Sequence, residues 1–151
     1  MVFSDIFPDA VKIGMVSSSE LIKVIAERLR FFKAKNIVVD PVMVATSGSS
    51  LMKTDAVSTL EEELLPIAAL VTPNIPEAEI LSGMAIKNAE DMENAAKLIS
   101  GKFGCAVLLK GGHSINDAND LLCKGSQTKW FKGKGSTTPT PTEQAALFLQ
   151  R

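Results

Sequence analysis

Residues 36–40 read Asn-Ile-Val-Val-Asp and are followed directly by Pro41. Three consecutive β-branched residues between polar ends are typical of a strand buried on both faces, as in a parallel sheet. Proline has no N–H to donate to a neighbouring strand, so we expect this strand to end at Pro41. The stretch therefore predicts an α/β fold.

Alternating strands and helices on both sides of this stretch support that prediction. Upstream, residues 10–14 predict a short strand, and Ser17 has the spacing of a capping box with Glu20 at the start of a helix. Apolar side chains at helical spacing predict which face of this helix meets the core. They are Leu21, Val24, Ile25, Leu29 and Phe32.

The downstream pattern continues the alternation and predicts right-handed βαβ units with a mostly parallel sheet. Helices are expected over 54–65 (ended by Pro66), 75–81 (before Gly83) and 88–102, the last with Met92, Ala95, Ala96 and Ile99 on its core face. Strands are expected over 69–72 and 106–109, followed by a hairpin of 120–123 and 128–131 around Lys124 and Gly125.

Composition limits the classes of protein that this chain can be. It has 151 residues with 46% hydrophobic and 22% charged residues, typical of one globular domain. Sixteen basic against seventeen acidic residues give a net charge of −1, which argues against a nucleic-acid partner. No apolar run is long enough to span a membrane, and Asp5, Pro8 and Asp9 do not suit a secretory signal. We expect a cytoplasmic protein.

Cysteine and histidine are scarce. Cys105, Cys123 and His113 are too few for a zinc site with four ligands of the usual kind, and a Ser-His-Asp triad could use only His113. Both cysteines lie in apolar stretches, so we expect buried free thiols rather than a disulfide. His113 alone is more typical of a turn residue than of a catalyst.

Polar or small residues follow four of the predicted strands, at 14–15, 40–43, 72–74 and 110–113, on the edge where doubly wound sheets bind ligands. Asp40 is there either as a ligand of Mg²⁺ or as the acceptor of a local hydrogen bond. Asn74 and Glu77 have helix-capping spacing, but the same placement directs a carboxylate toward a Mg²⁺–phosphate site. Lys110, before two glycines, suits a phosphate, although an ordinary turn explains the same residues equally well.

Four segments in the same order resemble the hydroxymethylpyrimidine/phosphomethylpyrimidine kinases of thiamine biosynthesis, in the ribokinase-like superfamily. They are residues 9–15 (DAVKIGM), 39–43 (VDPVM), 71–79 (VTPNIPEAE) and 109–113 (LKGGH). The resemblance runs from about residue 8 to 131 and implies a three-layer αβα fold with a mostly parallel sheet. It also implies ATP-dependent phosphorylation of hydroxymethylpyrimidine and then of its monophosphate, with Mg²⁺ as cofactor and no nucleic acid or membrane as partner.

The resemblance also assigns roles to individual residues. Met15 and Val42 would line the pyrimidine pocket, and Asp40 and Glu77 would organise Mg²⁺. The residues expected beside ATP are Thr72, Asn74, Lys110, Gly111 and Gly112. Lys110 would neutralise phosphate charge during transfer, which makes it the expected catalytic residue.

The chain also departs from the family's pattern. The family begins well before the position of Met1, and after Phe131 it continues into a Gly-Thr-Gly-Cys segment that is replaced here by 134–141 (KGSTTPTP). We therefore expect a central ribokinase-like core over 1–131 and an atypical linker and tail over 132–151. A second hypothesis is a truncated, inactive remnant that binds a nucleotide or a partner, such as a second copy in a homodimer.

Overall fold

A computed structural model describes residues 6–43, 51–112 and 119–132. The chain forms two compact units, Met1–Thr72 and Pro73–Arg151. Two sequence predictions lie outside the described residues: the role of His113, and the linker and tail from 133 onward. In the described ranges, no helix is both long and apolar enough to cross a bilayer.

The first unit is built on three parallel strands. They are β1 (Val11–Ile13), β2 (Ile37–Val39) and β3 (Leu70–Val71), and they alternate with helices α1 (Ser19–Phe31) and α2 (Thr54–Thr59). Ile13 pairs with Val39, and Val39 pairs with Val71, so β2 has a parallel neighbour on each side. Ile37 and Val39 are buried, which confirms the strand predicted from 36–40.

Helix α1 forms where it was predicted but turns a different face to the core. Its N-cap is Ser18 rather than Ser17, and the Ser18 hydroxyl accepts from the Leu21 amide at 3.4 Å. The predicted stripe is wrong at Leu21 and Val24, which are each 50% exposed. Apolar residues occupy so much of this helix that spacing alone did not identify its inner face. The buried residues are Ile22, Ala26 and Leu29.

The segment predicted as one helix over 54–65 changes its hydrogen bonding twice. α2 passes at Leu60 into a π-helical turn over Leu60–Leu64, and a 3₁₀ turn follows over Leu65–Ile67. Pro66 has no amide to donate, so regular helix cannot continue through it. Leu60 and Leu64 are both buried, so the altered turns still direct these side chains toward the core.

The second unit combines two helices with an antiparallel sheet. Helices α3 (Ile75–Ser82) and α4 (Ala89–Phe103) precede strands β4 (Ala106–Leu109), β5 (Asp120–Lys124) and β6 (Gln127–Phe131). β5 runs antiparallel to both β4 and β6, which confirms the predicted hairpin. The parallel order inferred from the sequence therefore describes the strands of the first unit, whereas the named strands of this unit pair antiparallel.

Helix α4 confirms its prediction closely. The Asn88 side chain caps it by accepting from the Asp91 amide at 2.9 Å, and Gly104 ends it with φ of 70° in the left-handed region. The four residues predicted for the core face are fully buried: Met92, Ala95, Ala96 and Ile99.

Both cysteines are buried free thiols, as predicted. Cys105 directly precedes β4, and burial raises the pKa of its thiol to about 11. Burial also raises the pKa of Cys123 in β5. Thiols whose pKa is raised in this way remain protonated and unreactive at neutral pH, so neither is a nucleophile in this fold.

Candidate functional site

In the first unit, a threonine hydroxyl holds a carboxylate at the carboxyl ends of two neighbouring strands. Asp40 follows β2 and donates its amide to the Ile13 carbonyl at 2.8 Å, while Thr72 follows β3 and donates its amide to Val39 at 3.0 Å. The Thr72 hydroxyl donates to Oδ1 of Asp40 at 3.1 Å. Because Thr72 is only 6% exposed, this bond fixes the carboxylate in one orientation.

Two apolar residues lie at the same edge of this unit. Met15 follows β1 and is 56% exposed, and Val42 follows β2 with its amide donating to the Asp40 carbonyl at 2.9 Å. A flexible, exposed methionine beside a tight turn can adapt to a flat apolar ligand. Their contact with a pyrimidine stays a prediction, but both follow strands that end at the edge where Asp40 lies, which suits a ligand.

In the second unit, Asn74 and Glu77 form a capping box at the start of α3. The Asn74 side chain accepts from the Glu77 amide, and the Glu77 carboxylate accepts from the Asn74 amide, both at 2.9 Å. This confirms the capping alternative considered for the two residues. Glu77 is only 2% exposed, so its predicted role toward Mg²⁺ has to be combined with this structural one.

Lys110 lies beside the start of α3. Its amide donates to the Pro73 carbonyl at 2.8 Å, and its backbone forms a parallel bridge with Asn74. The N-terminus of a helix carries a partial positive charge, and a lysine ammonium adds a full one. The structure therefore brings the backbone of Lys110 beside the capping box of Asn74 and Glu77, at one edge of this unit.

Gly111 is held by the beginning of β5. Its amide donates to Oδ1 of Asp120 at 2.9 Å. A Cβ atom added to Gly111 would overlap the backbone of Asn119, whereas one added to Gly112 would contact none of the described residues. The sequence suggested that both glycines let a ligand approach. In the structure, close packing against the Asn119 backbone requires glycine at position 111. No such contact with a described residue requires glycine at position 112.

Asp120 is a residue that the sequence analysis missed. It is partly buried, and desolvation raises the pKa of its carboxyl group, while the Gly111 amide and the charge of Lys110 act in the opposite direction. The available signal was a carboxylate at the start of the apolar run Leu121–Cys123. The same reasoning selected Asp40, since a carboxylate beside a buried strand needs a partner.

The donor chemistry of these residues fits Mg²⁺, which prefers carboxylate oxygens, keeps several waters and is bound through one or two carboxylates. Asp40 is an oxygen donor at a strand end, and Glu77 is an oxygen donor at a helix start. Among the described residues, no group of three or more His, Cys, Asp or Glu side chains is arranged to hold a metal ion. Binding of Mg²⁺ by Asp40 and Glu77 stays a prediction.

Comparison with known proteins agrees with the motifs. The family model for phosphomethylpyrimidine kinase matches residues 1–142. The hydroxymethylpyrimidine/phosphomethylpyrimidine kinase of Rhizobium meliloti is 52% identical over 126 residues, which are 82% of this chain and 47% of that protein. The crystal structure of phosphomethylpyrimidine kinase from Clostridium difficile has a TM-score of 0.81 and 46% identity, covering 89% of this chain and 58% of that one.

A pyridoxal kinase is also similar. The Staphylococcus aureus enzyme in complex with AMP-PCP has a TM-score of 0.74 and 36% identity, covering 83% of this chain and 46% of that one. The chain spans 47% of the length of the Rhizobium meliloti kinase and 47% of that of Bacillus subtilis. The predicted α/β fold is confirmed as ribokinase-like. Since the family model covers most of its residues, this chain belongs to the phosphomethylpyrimidine kinase family.

Proposed function

We propose that this chain carries out ATP-dependent phosphorylation of hydroxymethylpyrimidine and of its monophosphate, in thiamine biosynthesis. In the first transfer the hydroxymethyl oxygen attacks the γ-phosphorus of ATP, the bond from this phosphorus to the oxygen of ADP breaks, and the hydroxyl proton passes to water. In the second transfer a phosphate oxygen of the monophosphate attacks in the same way. The relatives named for this activity support the proposal. The single observation that carries it is the bridge between Lys110 and Asn74. This bridge puts an ammonium group on a backbone that is fixed beside a helix N-terminus.

Phosphoryl transfer needs little covalent chemistry from a protein and depends on positioning and on neutralising charge. Lys110 supplies a positive charge, and its backbone is anchored by the bond to Pro73. The amides at the start of α3 add partial positive charge, typically worth about 0.3–1 kcal/mol for an exposed anion. We propose that Asn74, Lys110, Gly111 and Gly112 contact the ATP phosphates, with Thr72 as a further contributor.

Glu77 explains why a cation is needed at this helix end. Its carboxylate caps α3, so a phosphate arriving at the same N-terminus would meet a negative charge. Mg²⁺ would supply the neutralising charge between these anions when bound. We propose Asp40 and Glu77 as its protein ligands, directly or through water. The Thr72 hydroxyl would orient the Asp40 carboxylate for this role.

The finer parts of the proposal concern the substrate and the cell. Met15 and Val42 are proposed to line the pyrimidine pocket, and the cytoplasm is the proposed compartment, where ATP is available. No nucleic acid or membrane partner is proposed, and a homodimer is a prediction that the size of the purified chain would test. The comparisons support the kinase proposal and give no support to the inactive binding module.

The test is to incubate the purified, folded chain with Mg-ATP and hydroxymethylpyrimidine and to identify products by mass spectrometry. Lys110→Ala and Asp40→Asn are the test variants. Lys124→Ala removes an exposed lysine at the end of β5 and is the control for the first. Asp55→Asn is the control for the second, because Asp55 also accepts from a hydroxyl, that of Ser19 at 3.0 Å.

Phosphorylated pyrimidine from the wild-type chain and both controls, with at least about a 100-fold loss in both test variants, would support the proposal. No product from a wild-type chain with a native circular dichroism spectrum would overturn it. Equal loss in a test variant and its control would overturn the role of that residue, because the loss would then follow from a general change of charge.

A further inference from the structure

We propose that Asp120 is a positioning residue that holds Lys110, Gly111 and Gly112 in the conformation that binds a phosphate of ATP. These three residues, Lys110–Gly112, are called the phosphate loop below. The proposal rests on the proposed function, since it assumes that this loop meets ATP. Asp120 itself is not proposed to touch the nucleotide, because a carboxylate would repel a phosphate.

The pairing of β4 with β5 brings Asp120 to the phosphate loop. Leu108 pairs with Leu122 and Leu109 pairs with Leu121, all four of them buried. One step beyond that last pair, the same register puts Asp120 opposite Lys110. The pairing of the buried strand β4 with β5 thus fixes the position of the Asp120 carboxylate. Functional sites are precise when rigid elements of this kind hold their residues.

Two contacts from the start of β5 then hold Gly111 from different sides. The Asp120 carboxylate accepts from the Gly111 amide at 2.9 Å. The backbone of Asn119 fills the space where a Cβ atom of residue 111 would stand. A charge-assisted bond to a backbone amide is among the stronger hydrogen bonds in proteins. The middle residue of the phosphate loop is therefore clamped by a segment that follows it by eight residues in sequence.

Stability of the fold does not by itself explain why a carboxylate, rather than a neutral side chain, occupies position 120. Burial raises the pKa of Asp120 despite the Gly111 amide and the charge of Lys110, so the ionised form is costly in the folded state. A neutral acceptor such as asparagine could bind the same amide without that cost. Groups that are costly to the fold and face a ligand-binding loop are typical of functional sites.

The first experiment tests the hydrogen bond in the full 151-residue chain by ¹⁵N–¹H NMR. We expect the Gly111 amide shift to titrate with a midpoint above 3.8, the ordinary value for aspartate, because it follows the Asp120 carboxyl group. Asp120→Asn should abolish this titration. The matched control is Asp91→Asn, because Asp91 also accepts from a backbone amide, that of Lys87 at 2.9 Å.

The second experiment measures the affinity of the same proteins for Mg-ATP by calorimetry. Asp120→Ala leaves the Gly111 amide without its acceptor, so we expect about a 3- to 10-fold weaker affinity. Asp120→Asn restores a neutral acceptor and should recover most of that loss. Asp91→Ala and Asp91→Asn should bind Mg-ATP like the wild type, since neither changes the phosphate loop.

The outcomes separate this proposal from the proposed function. Absence of a Gly111 titration in the wild type overturns the role of Asp120, whatever the activity. Equal Mg-ATP affinity of wild type and Asp120→Ala overturns that role while the kinase proposal stands. Absence of Mg-ATP binding by the wild type overturns the kinase proposal and, with it, this role of Asp120. A weakened Ala variant that asparagine rescues supports both.

Discussion

The two units position their polar residues in different ways. In the first, Asp40 and Thr72 follow neighbouring parallel strands, and the hydroxyl of one holds the carboxylate of the other at 3.1 Å. In the second, Gly111 follows β4 but is held by Asp120, which begins an antiparallel strand. Polar residues at the ends of parallel strands can be found by inspecting where each strand stops. A hydrogen bond from a residue on an antiparallel neighbouring strand, such as that between Asp120 and Gly111, is much harder to predict from the sequence.

Gly111→Ala should have the largest effect, because the added Cβ atom overlaps the backbone of Asn119 and forces the phosphate loop to move. We expect a loss of about 1–3 kcal/mol in the free energy of unfolding, measured in urea. Gly112→Ala is the matched control and should change the free energy by less than about 0.5 kcal/mol, since a Cβ atom there contacts none of the residues that the structure describes. Equal stabilities of the two variants would contradict the clamp on Gly111.

Thr72→Val breaks the corresponding support in the first unit. It removes the hydroxyl that donates to Asp40 and should lower the free energy of unfolding by about 1–2 kcal/mol. Ser19→Ala is the control, because it breaks a bond between a hydroxyl and an aspartate that is exposed to solvent. We expect less than about 0.5 kcal/mol there. Equal losses of unfolding free energy in Thr72→Val and Ser19→Ala would contradict the idea that burial strengthens the bond between Thr72 and Asp40.

Asn74→Ala and Asn88→Ala compare a helix cap inside the candidate site with one outside it. Each removes a side chain that accepts from a helix amide at 2.9 Å, so each should cost about 1 kcal/mol of unfolding free energy. Only Asn74→Ala should also reduce formation of phosphorylated pyrimidine, because the Asn74 side chain is proposed to contact the ATP phosphates. Parallel losses of product in both variants would mean that the cap acts through stability alone.

The smallest expected effect is a dependence of the free energy of unfolding on pH, caused by titration of Asp120. Burial raises its pKa in the folded state, so the folded chain binds this proton more tightly than the unfolded chain. The stabilising contribution is therefore complete below the ordinary value near 3.8 and is lost as pH rises through the raised folded value. Urea denaturation across this range should show wild type losing stability relative to Asp120→Asn. The opposite slope would contradict the raised pKa.

The sequence predicted those helices and strands whose local pattern is compatible with only one secondary structure and one buried face. The β-branched run at 36–40 has buried neighbours on both sides, and α4 has a single apolar face that begins at a clear cap, Asn88. The hairpin was predictable because turn residues separate two apolar runs. Four motifs at strand ends were enough to predict the family, because they come in one order with specific residues.

Other predictions failed where alternative buried faces or alternative N-caps of one helix have similar energies. Helix α1 is apolar over so much of its surface that spacing identified Leu29 as a core residue but not Ile22 and Ala26, which packing also buries. Ser17 and Ser18 are equally good caps as residues, and only the actual first turn of the helix selects Ser18.

The sequence by itself therefore determined the strand order along the chain, the family, and the residues that follow each strand. The tertiary structure alone decided that Asp120 holds Gly111. The physical reason is distance along the chain. Periodicity and caps act over a few residues, whereas the pairing of β4 with β5 depends on burying Leu109 and Leu121 together in the folded unit.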